Sequence, residues 1–399
     1  MKGFSRVQLS EIVSIKGGKR LPLGENFSIE KTSHPYIRAR DIGNGNIKIQ
    51  EAVYLSDKMA QKLSSYTVNT GDVCITIVGA NVGEMGVVPQ ELSGANLTEN
   101  AVRIKSTGKI GQGFLKYTLL TEDAMAQMKV LVGGAAQPKL GIYKIQTIEI
   151  PLPPLSTQGK ITTILSAYDD LIENNQRRIK ILEETTQNIY REWFVKFRFP
   201  GHEKVKKVDS TLGMIPEGWE IKKVQEIVRR LKPEMVYKQS DVKPYGKTIV
   251  IDQSRDTFLG FHDNKPDLLA TSDDPIIIFG DHTCKMQLMV TPFSIGPNVV
   301  PFIANNKMSI YYLYYLIHDL VETKEYKRHW NELVGKEIIY SDSSIIKQFD
   351  FQMRTIFEQN ETLKNVNLNL RRTRDMLLPK LISGEIDVSD LDIRIEEVA

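Results

Sequence analysis

The chain has 399 residues, 41% hydrophobic and 25% charged, which excludes a disordered or fibrous protein and leaves room for two or three domains with their own cores. The net charge of +3 is uneven: the tail from Glu385 to Ala399 holds six acids against Arg394 and carries −5, leaving +8 on residues 1–384, an excess that suits a polyanionic partner where the bases cluster. Cys74 and Cys284 cannot build a disulfide framework, and no apolar run nears the ~18 residues of a bilayer span, so a reduced, cytoplasmic protein with no membrane contact is expected.

Residues 1–150 mix short β-like runs, Gly71–Val78 (GDVCITIV), Ala101–Lys105 and Gln146–Ile150, with Gly17-Gly18 and Gly133-Gly134 links and a helical stretch over Gly111–Lys129. Residues 151–200 form a spacer helix. Ser156 is its expected N-cap after Pro153-Pro154, and Pro200-Gly201 stops it after Phe199. Its apolar seam, Ile161, Leu165, Tyr168, Ile172, Asn175, Ile179, Leu182, Thr186, Ile189 and Trp193, steps 4, 3, 4, 3 without a break, a heptad pattern. About 38 residues at the helical rise span roughly 57 Å.

Residues 201–350 repeat the first scheme, with Thr248–Asp252 and Pro275–Gly280 as strands and a helical stretch over Ser309–Lys327. A second helix, from about Arg354 to Ser383 within a segment 351–384, carries Leu363, Val366, Leu370, Leu377 and Leu381 on one face and ends at Gly384. The acidic tail, 385–399, follows. Each seam would be exposed alone, so the two helices are expected to pair antiparallel as an intramolecular coiled coil, with Asn175 setting register and the domains at opposite ends.

The two halves repeat each other. Phe4, Leu9, Glu11, Ile12 and Val13 return as Trp219, Val224, Glu226, Ile227 and Val228 at a separation of 215. Asn100, Leu115, Tyr117 and Leu119 return as Asn298, Leu313, Tyr315 and Ile317 at 198. Ile148, Ile150 and Gln158 match Phe349, Phe351 and Gln359 at 201, whereas Leu182, Ile189 and Tyr190 match Leu370, Leu377 and Leu378 at 188. Units this long are a domain duplication and not a solenoid. The fold expected is α+β: two globular domains with a pseudo-twofold repeat, separated by the helix pair.

Four strings then carry a resemblance. Ile150–Gln158 (IPLPPLSTQ), Arg191–Phe197 (REWFVKF), Gly213–Trp219 (GMIPEGW) and Leu381–Ile386 (LISGEI) resemble, in order, segments of the specificity subunits of Type I restriction-modification systems. The second copy departs by replacing IPLPPLSTQ with Phe351–Gln359 (FQMRTIFEQ). The resemblance implies two target-recognition domains, each reading half of a split, asymmetric sequence in double-stranded DNA. It also implies two modification subunits that methylate adenine with S-adenosylmethionine, and restriction subunits that use ATP and Mg²⁺ to translocate and cut. No cofactor is expected in this chain.

Catalytic motifs are missing. No [DN]-P-P-[FY] string holds a target amine, and Gly246-Lys247-Thr248 has Asp241 where a phosphate-binding loop needs its first glycine. Asp267 with Glu322 and Lys324 is too widely spaced for a nuclease, and Asp281-His282-Thr283-Cys284 has too few ligands for a metal. Gly79–Gly86 (GANVGEMG) is either a phosphate-approaching loop or a turn between strands. Tyr311, Tyr312, Tyr314 and Tyr315 have the spacing of a packed helix face more than of a base-stacking platform.

DNA contact calls for Arg, Lys, Asn and Gln on loops. The candidates are Lys16, Lys19, Arg20, Arg38, Arg40, Asn81, Gln137 and Lys139 in the first domain, and Lys238, Lys247, Gln253, Ser254, Arg255, His282 and Lys285 in the second. A duplicated coiled-coil scaffold that binds proteins is the rival reading, favoured by the small net charge.

Overall fold

The computed structural model describes residues 4–394, apart from 44, 50, 135–137, 254–257, 306, 307, 324, 326, 342 and 343. The chain divides into two compact units, Met1–Ile172 with Asn369–Ala399, and Glu173–Leu368. Each unit is α+β and takes one half of each long helix, so these units cut across a partition at 150, 200, 350 and 384.

The first unit contains β1 (Arg6–Gln8), β2 (Val13–Gly17), β3 (Tyr36–Ile37), β4 (Ile42–Gly43), β5 (Gly45–Ile47), α1 (Asp57–Lys62), β6 (Val73–Thr76), β7 (Met85–Val87), β8 (Asn96–Leu97) and β9 (Ala101–Ser106). Helices α2 (Gln112–Leu119), α3 (Glu122–Leu131) and α4 (Ile142–Ile145) then precede β10 (Glu149–Pro151). A six-stranded sheet runs β2-β9-β6-β7-β5-β4. The continuous apolar run of β6 is explained by burial on both faces. Val73 and Ile75 enter the main core with Phe114 and Leu115, while Cys74 faces a smaller one with Ile37 and Leu97. Burial pushes the Cys74 thiol well above its usual range.

Helix α5 (Leu155–Tyr190) follows, shared between the units, and ends in a π-helical turn at Arg191–Val195. The second unit contains β11 (Lys207–Ser210), β12 (Gly213–Pro216), β13 (Glu220–Lys223), α6 (Val224–Ile227), β14 (Val228–Arg230), β15 (Thr248–Ile251), β16 (Gly260–His262), β17 (Ile276–Gly280), β18 (Met286–Met289), β19 (Ser294–Ile295) and β20 (Val299–Ala304). Helices α7 (Ile310–Ile317) and α8 (Trp330–Val334), strand β21 (Glu337–Tyr340) and α9 (Ser344–Ser383) complete the chain's elements. The main sheet runs β14-β20-β17-β18, beside a three-stranded sheet β16-β15-β19.

Strand partners fix how the copies correspond. The ladder Ile15–Ile104–Val73 in the first sheet has its counterpart in Arg230–Phe302–Ile277 in the second. Gln8 lies opposite Glu149 as Lys223 lies opposite Glu337. The separation is therefore 215 at β2 and β14, 198 at β9 and β20, and 188 at β10 and β21. The drop from 198 to 188 falls where the first copy inserts α3, which has no helical counterpart among the described residues of the second.

That geometry overturns the match at 201. Ile150 is a buried strand residue, whereas Phe351 sits on α9 and is 76% exposed; the counterpart of Ile150 is the buried Ile338. Apolar residues in the first turns of α9 imitated the strand, because the helix starts at Ser344 and not near Arg354. Other expectations change as well. The stretch Gly111–Lys129 is two helices, broken where the Thr121 hydroxyl accepts the Ala124 N–H and caps α3. The one expected over Ser309–Lys327 ends at Ile317. Helix α5 begins at Leu155, with the Pro154 carbonyl taking the Gln158 N–H at 2.9 Å, so Ser156 lies in the first turn and is not the cap. At its far end regular α-helical geometry stops at Tyr190, well before Phe199.

With 188 as the separation, the ten seam positions of α5 map onto Phe349, Met353, Ile356, Asn360, Leu363, Asn367, Leu370, Arg374, Leu377 and Leu381, none of them exposed. Three polar residues hid this ladder. Val366, assigned to the seam from sequence, is off it and 41% exposed. Even the irregularities match: Pro379, inside α9, stands 188 residues after Arg191, where α5 turns π-helical. Beyond both, Phe194 and Ile382 turn into the cores.

The helices run antiparallel within each unit. In the first unit the Asp169 carboxylate accepts from Arg374 at 2.6 Å, Lys116 at 2.8 Å and the Tyr117 hydroxyl at 2.7 Å. In the second, Asn175 Nδ2 donates to Asn367 Oδ1 at 2.9 Å. There Phe349 packs on Tyr190 and Trp193, with ring centroids 6.3 and 6.1 Å apart. The counterparts of Tyr117, Asp169 and Arg374 are Tyr315, Phe357 and Thr186. Here Tyr315 donates to the Thr186 hydroxyl and packs on Phe357. One copy thus solves with ions what the other solves with rings. Among the described residues no helix is long and apolar enough to cross a membrane.

Burial alone would raise the Asp169 carboxyl, but the charge of Lys116 and hydrogen bonds from Lys116, Tyr117 and Arg374 outweigh it and hold it below the usual carboxylate range. Asp169→Ala strands the buried Tyr117 hydroxyl and two half-buried cations, Lys116 and Arg374, and is expected to cost about 2 kcal/mol in urea unfolding. Lys180→Ala, from an exposed pair with Glu184, changes stability by less than about 0.5 kcal/mol. A carboxyl held low stabilises the fold fully above its unfolded pKa of about 4 and loses that contribution as pH falls through the lowered value. The advantage of wild type over Asp169→Asn therefore shrinks below that pH.

Candidate nucleic-acid interface

One end of the six-stranded sheet gathers loops. Strands β2 and β6 finish there, and β9 and β7 begin. Backbone bonds lock the connections together: Gly18 N–H to Ala101 O at 3.0 Å, Lys19 N–H to Leu97 O at 2.8 Å, Ile77 N–H to Asn100 O at 2.7 Å, Gly79 N–H to Pro138 O at 3.2 Å and Leu140 N–H to Ile77 O at 2.9 Å. Gly18 has no alternative, because a Cβ there would lie 2.1 Å from the Thr98 carbonyl.

The folded chain brings Lys19, Arg20, Asn81 and Lys139 onto this rim, all exposed. Arg20 faces Glu99 at 3.2 Å yet is 74% exposed, and the Lys16 ammonium lies 5.3 Å over the Tyr66 ring. Arg38 and Arg40 belong to a segment tied to the end of β6 by Thr76 Oγ1, which donates to the Ala39 carbonyl at 3.5 Å. Their guanidiniums are engaged: Arg38 with Asp41 at 3.4 Å and the Glu51 carbonyl, Arg40 with the Glu51 carboxylate at 2.6 Å. Gln137 lies outside the described residues. Gly79–Gly86 spans the β6–β7 turn and the start of β7, with Gly79 and Gly83 at positive φ; Gly86 is required because a Cβ would lie 2.3 Å from the Asn46 carbonyl.

The second unit repeats the rim. Asp281 N–H bonds to Asn298 O at 2.8 Å, the counterpart of Ile77 to Asn100, which gives the repeated asparagines their place. Gln253 reaches the β17–β18 turn: its side-chain oxygen accepts the His282 N–H at 3.1 Å and its carbonyl the Thr283 hydroxyl at 2.7 Å. His282 is half-buried, with Nδ1 donating to the Lys327 carbonyl at 3.1 Å, and Lys285 is half-buried in the same turn. Lys238 follows Tyr237, whose N–H bonds to Ile295 O beside the end of β15. Lys247 is not brought together with them; it precedes β15 and sits at the opposite end of that strand, its N–H on the His262 carbonyl at 3.0 Å. Ser254 and Arg255 lie outside the described residues.

Residues weighed for other chemistry have structural work. The Asp281 carboxylate accepts the N–H groups of His329 and Trp330 at 3.0 and 2.9 Å, and Asp267 accepts the Met235 N–H at 2.9 Å. Glu322 is exposed, and Lys324 is outside the described residues. Tyr311 and Tyr312 are buried, Tyr314 and Tyr315 half-buried, all packed in the core. No group of three or more His, Cys, Asp or Glu suited to a metal occurs among the described residues.

Sequence reasoning passed over one feature of this end. A cleft of about 290 Å³ opens beside the second rim, lined by Arg230, Asp281, Asn298, Arg328, Trp330 and Asn331 among others. The signals were present as VRR closing β14 and RHWN opening α8.

Two α+β copies, each ending in a loop rim, and one antiparallel helix pair define the class of fold: a duplicated domain built on a coiled coil. Residues 1–184 match the family described as the Type I restriction modification DNA specificity domain. The chain is 25% identical over 389 residues, 90% of its length and 88% of the relative, to the Type I restriction enzyme MjaIX specificity subunit of Methanocaldococcus jannaschii. It is 28% identical over 212 residues, 52% of its length and 48% of the relative, to the MjaVIII specificity subunit of the same organism. The solved S subunit of a Type I restriction-modification system from M. genitalium shares the fold, with a TM-score of 0.57, 16% identity and coverage of 95% and 96%. Residues 1–184 thus carry the DNA specificity domain of Type I restriction-modification systems, and the chain as a whole is similar to the specificity subunits of those systems. Such subunits are non-catalytic components of those systems.

The rim's close packing makes a sharp test of its glycines. Gly18→Ala is expected to lower stability by more than about 2 kcal/mol, since carbonyl oxygens of the backbone must move. Gly17→Ala, next to it and facing open space, changes it by less than about 1 kcal/mol. Thermal unfolding of both variants checks the contrast.

Proposed function

We propose that each unit reads one half of a bipartite, asymmetric sequence in double-stranded DNA through its rim. The helices dock two modification subunits, which methylate adenine, and the chain thereby directs methylation and restriction. The observation that carries this reading is the repeated rim. Both copies hold the same loop connections with the same backbone bonds, Ile77 to Asn100 and Asp281 to Asn298, while the side chains displayed there differ. A constant frame with variable, largely polar and basic display is what base readout needs. In this reading the chain holds no cofactor. S-adenosylmethionine belongs to the modification subunits, and ATP and Mg²⁺ to restriction subunits where these are present.

Methylation of a DNA library by the chain with its modification subunit should map to a split motif. Replacing residues 1–150 by those of a relative should change one half and leave the other; a single contiguous site, or a change in both halves, defeats the two-reader proposal. The protein-scaffold reading draws on the net charge of +3. A salt titration separates the two, because phosphate contacts make duplex affinity fall steeply as salt rises, by about one unit of log–log slope per contact, whereas a protein scaffold shows no duplex affinity to titrate.

A further inference from the structure

The cleft beside the second rim is a departure from the repeat. Where this unit places Arg230, Asp281 and Trp330, the first places Ile15, Ile77 and Ile142, which pack against its core. An apolar corner has been exchanged for one lined by two guanidiniums, an indole and two amides. The indole is braced from behind, its centroid 5.1 Å from that of Phe302 and 6.1 Å from that of Phe279, so one aromatic face is presented at a set position. Asp281, the carboxylate in the lining, is satisfied by the N–H groups of His329 and Trp330 and faces Arg328 at 3.8 Å. Arg230 forms no ion pair among the described residues. The cleft therefore carries an uncompensated positive charge beside an aromatic wall.

We propose that this cleft takes one nucleotide of the bound DNA, its phosphate between Arg230 and Arg328 and its base against Trp330, with Asn298 and Asn331 offering amides to the base edge. The volume of about 290 Å³ lies at the small end of ligand pockets, enough for a single nucleotide and far too little for a duplex. Guanidiniums match phosphate in charge and geometry, and an aromatic face accepts any base. Asparagine amides pair with the adenine edge above all. The proposal rests on the reading of this unit as a DNA reader and makes the two units unequal: one reads with its rim alone, the other with its rim and a pocket.

Binding of the full chain to a labelled mixed-sequence duplex and to a short labelled oligothymidylate tests it, by anisotropy and by tryptophan emission. Arg230→Gln and Arg328→Gln, both at exposed side chains, should each flatten the log–log salt dependence of duplex binding by about one unit. The double variant should bind duplex at least roughly tenfold more weakly at moderate salt. The oligothymidylate should quench tryptophan emission in wild type and not in Trp330→Phe. The proposal is overturned if the double variant keeps wild-type affinity and salt slope, or if quenching survives in Trp330→Phe. Thymidine monophosphate binding as tightly as the oligonucleotide would assign the cleft to a free nucleotide and overturn its assignment to DNA. Wild-type chain that binds neither duplex nor single strand defeats the DNA-reading function itself; binding by wild type with unaffected variants defeats the cleft alone.

Discussion

Neither unit can close its core without the long helices. Ile161, Leu165, Leu381 and Ile382 are fully or almost fully buried in the first unit's core, and Phe349 and Met353 in the second's. That dependence explains which spacing is free to vary. The separation between copies changes from 215 to 198 to 188 through the sheets, where an insertion only lengthens a loop and costs a fraction of a kcal/mol per doubling. From β10 through the end of the seam it stays at 188. One residue added inside a heptad would rotate every later seam position by about 100° and expose the stripe.

Within that constant geometry the chemistry of the contacts has diverged. The triad Tyr117, Asp169 and Arg374 became Tyr315, Phe357 and Thr186. Such divergence has a consequence for pairing. Asp169 opposite anything but Arg374 and Lys116 would be a half-buried carboxylate without a cation, and Asn175 and Asn367 satisfy each other in the second unit only. Apolar seams with the same period can slide or exchange; polar groups at single seam positions penalise every arrangement but one.

Much of this was legible in the sequence, for identifiable reasons. The first helix showed an uninterrupted heptad stripe because its polar seam residues, Asn175 and Thr186, are few. The second hid its stripe behind Asn360, Asn367 and Arg374, and sequence reasoning substituted Val366, one position off, for the residue that faces inward. The false match at 201 arose because an apolar strand of period two and the first turns of a buried helix look alike over three residues. The GDVCITIV run does hold a strand, but only over its middle four residues, Val73–Thr76, where burial on both faces sustains an unbroken apolar stretch. The candidate interface was harder. Loop residues are positioned by backbone bonds, such as Lys19 N–H to Leu97 O, that leave no trace in side-chain identity. The cleft escaped because Arg230 and Arg328 are almost a hundred residues apart and neither sits in a motif.

The rims show how a duplicated reader can change its display without losing its shape. The bonds that tie the loops run between backbone groups, and the side chains that cannot vary are few: Gly18, pressed on Leu97 and Thr98, and Gly86, pressed on Asn46. Arg20, Asn81 and Lys139 stand on this frame with their side chains largely in solvent, so substituting them costs little stability. Arg38 and Arg40 are different, because the carboxylates that hold them must give way before any phosphate can. A surface of this kind separates folding from display: packing and backbone bonding set where each side chain stands, and its identity is left to whatever the rim meets.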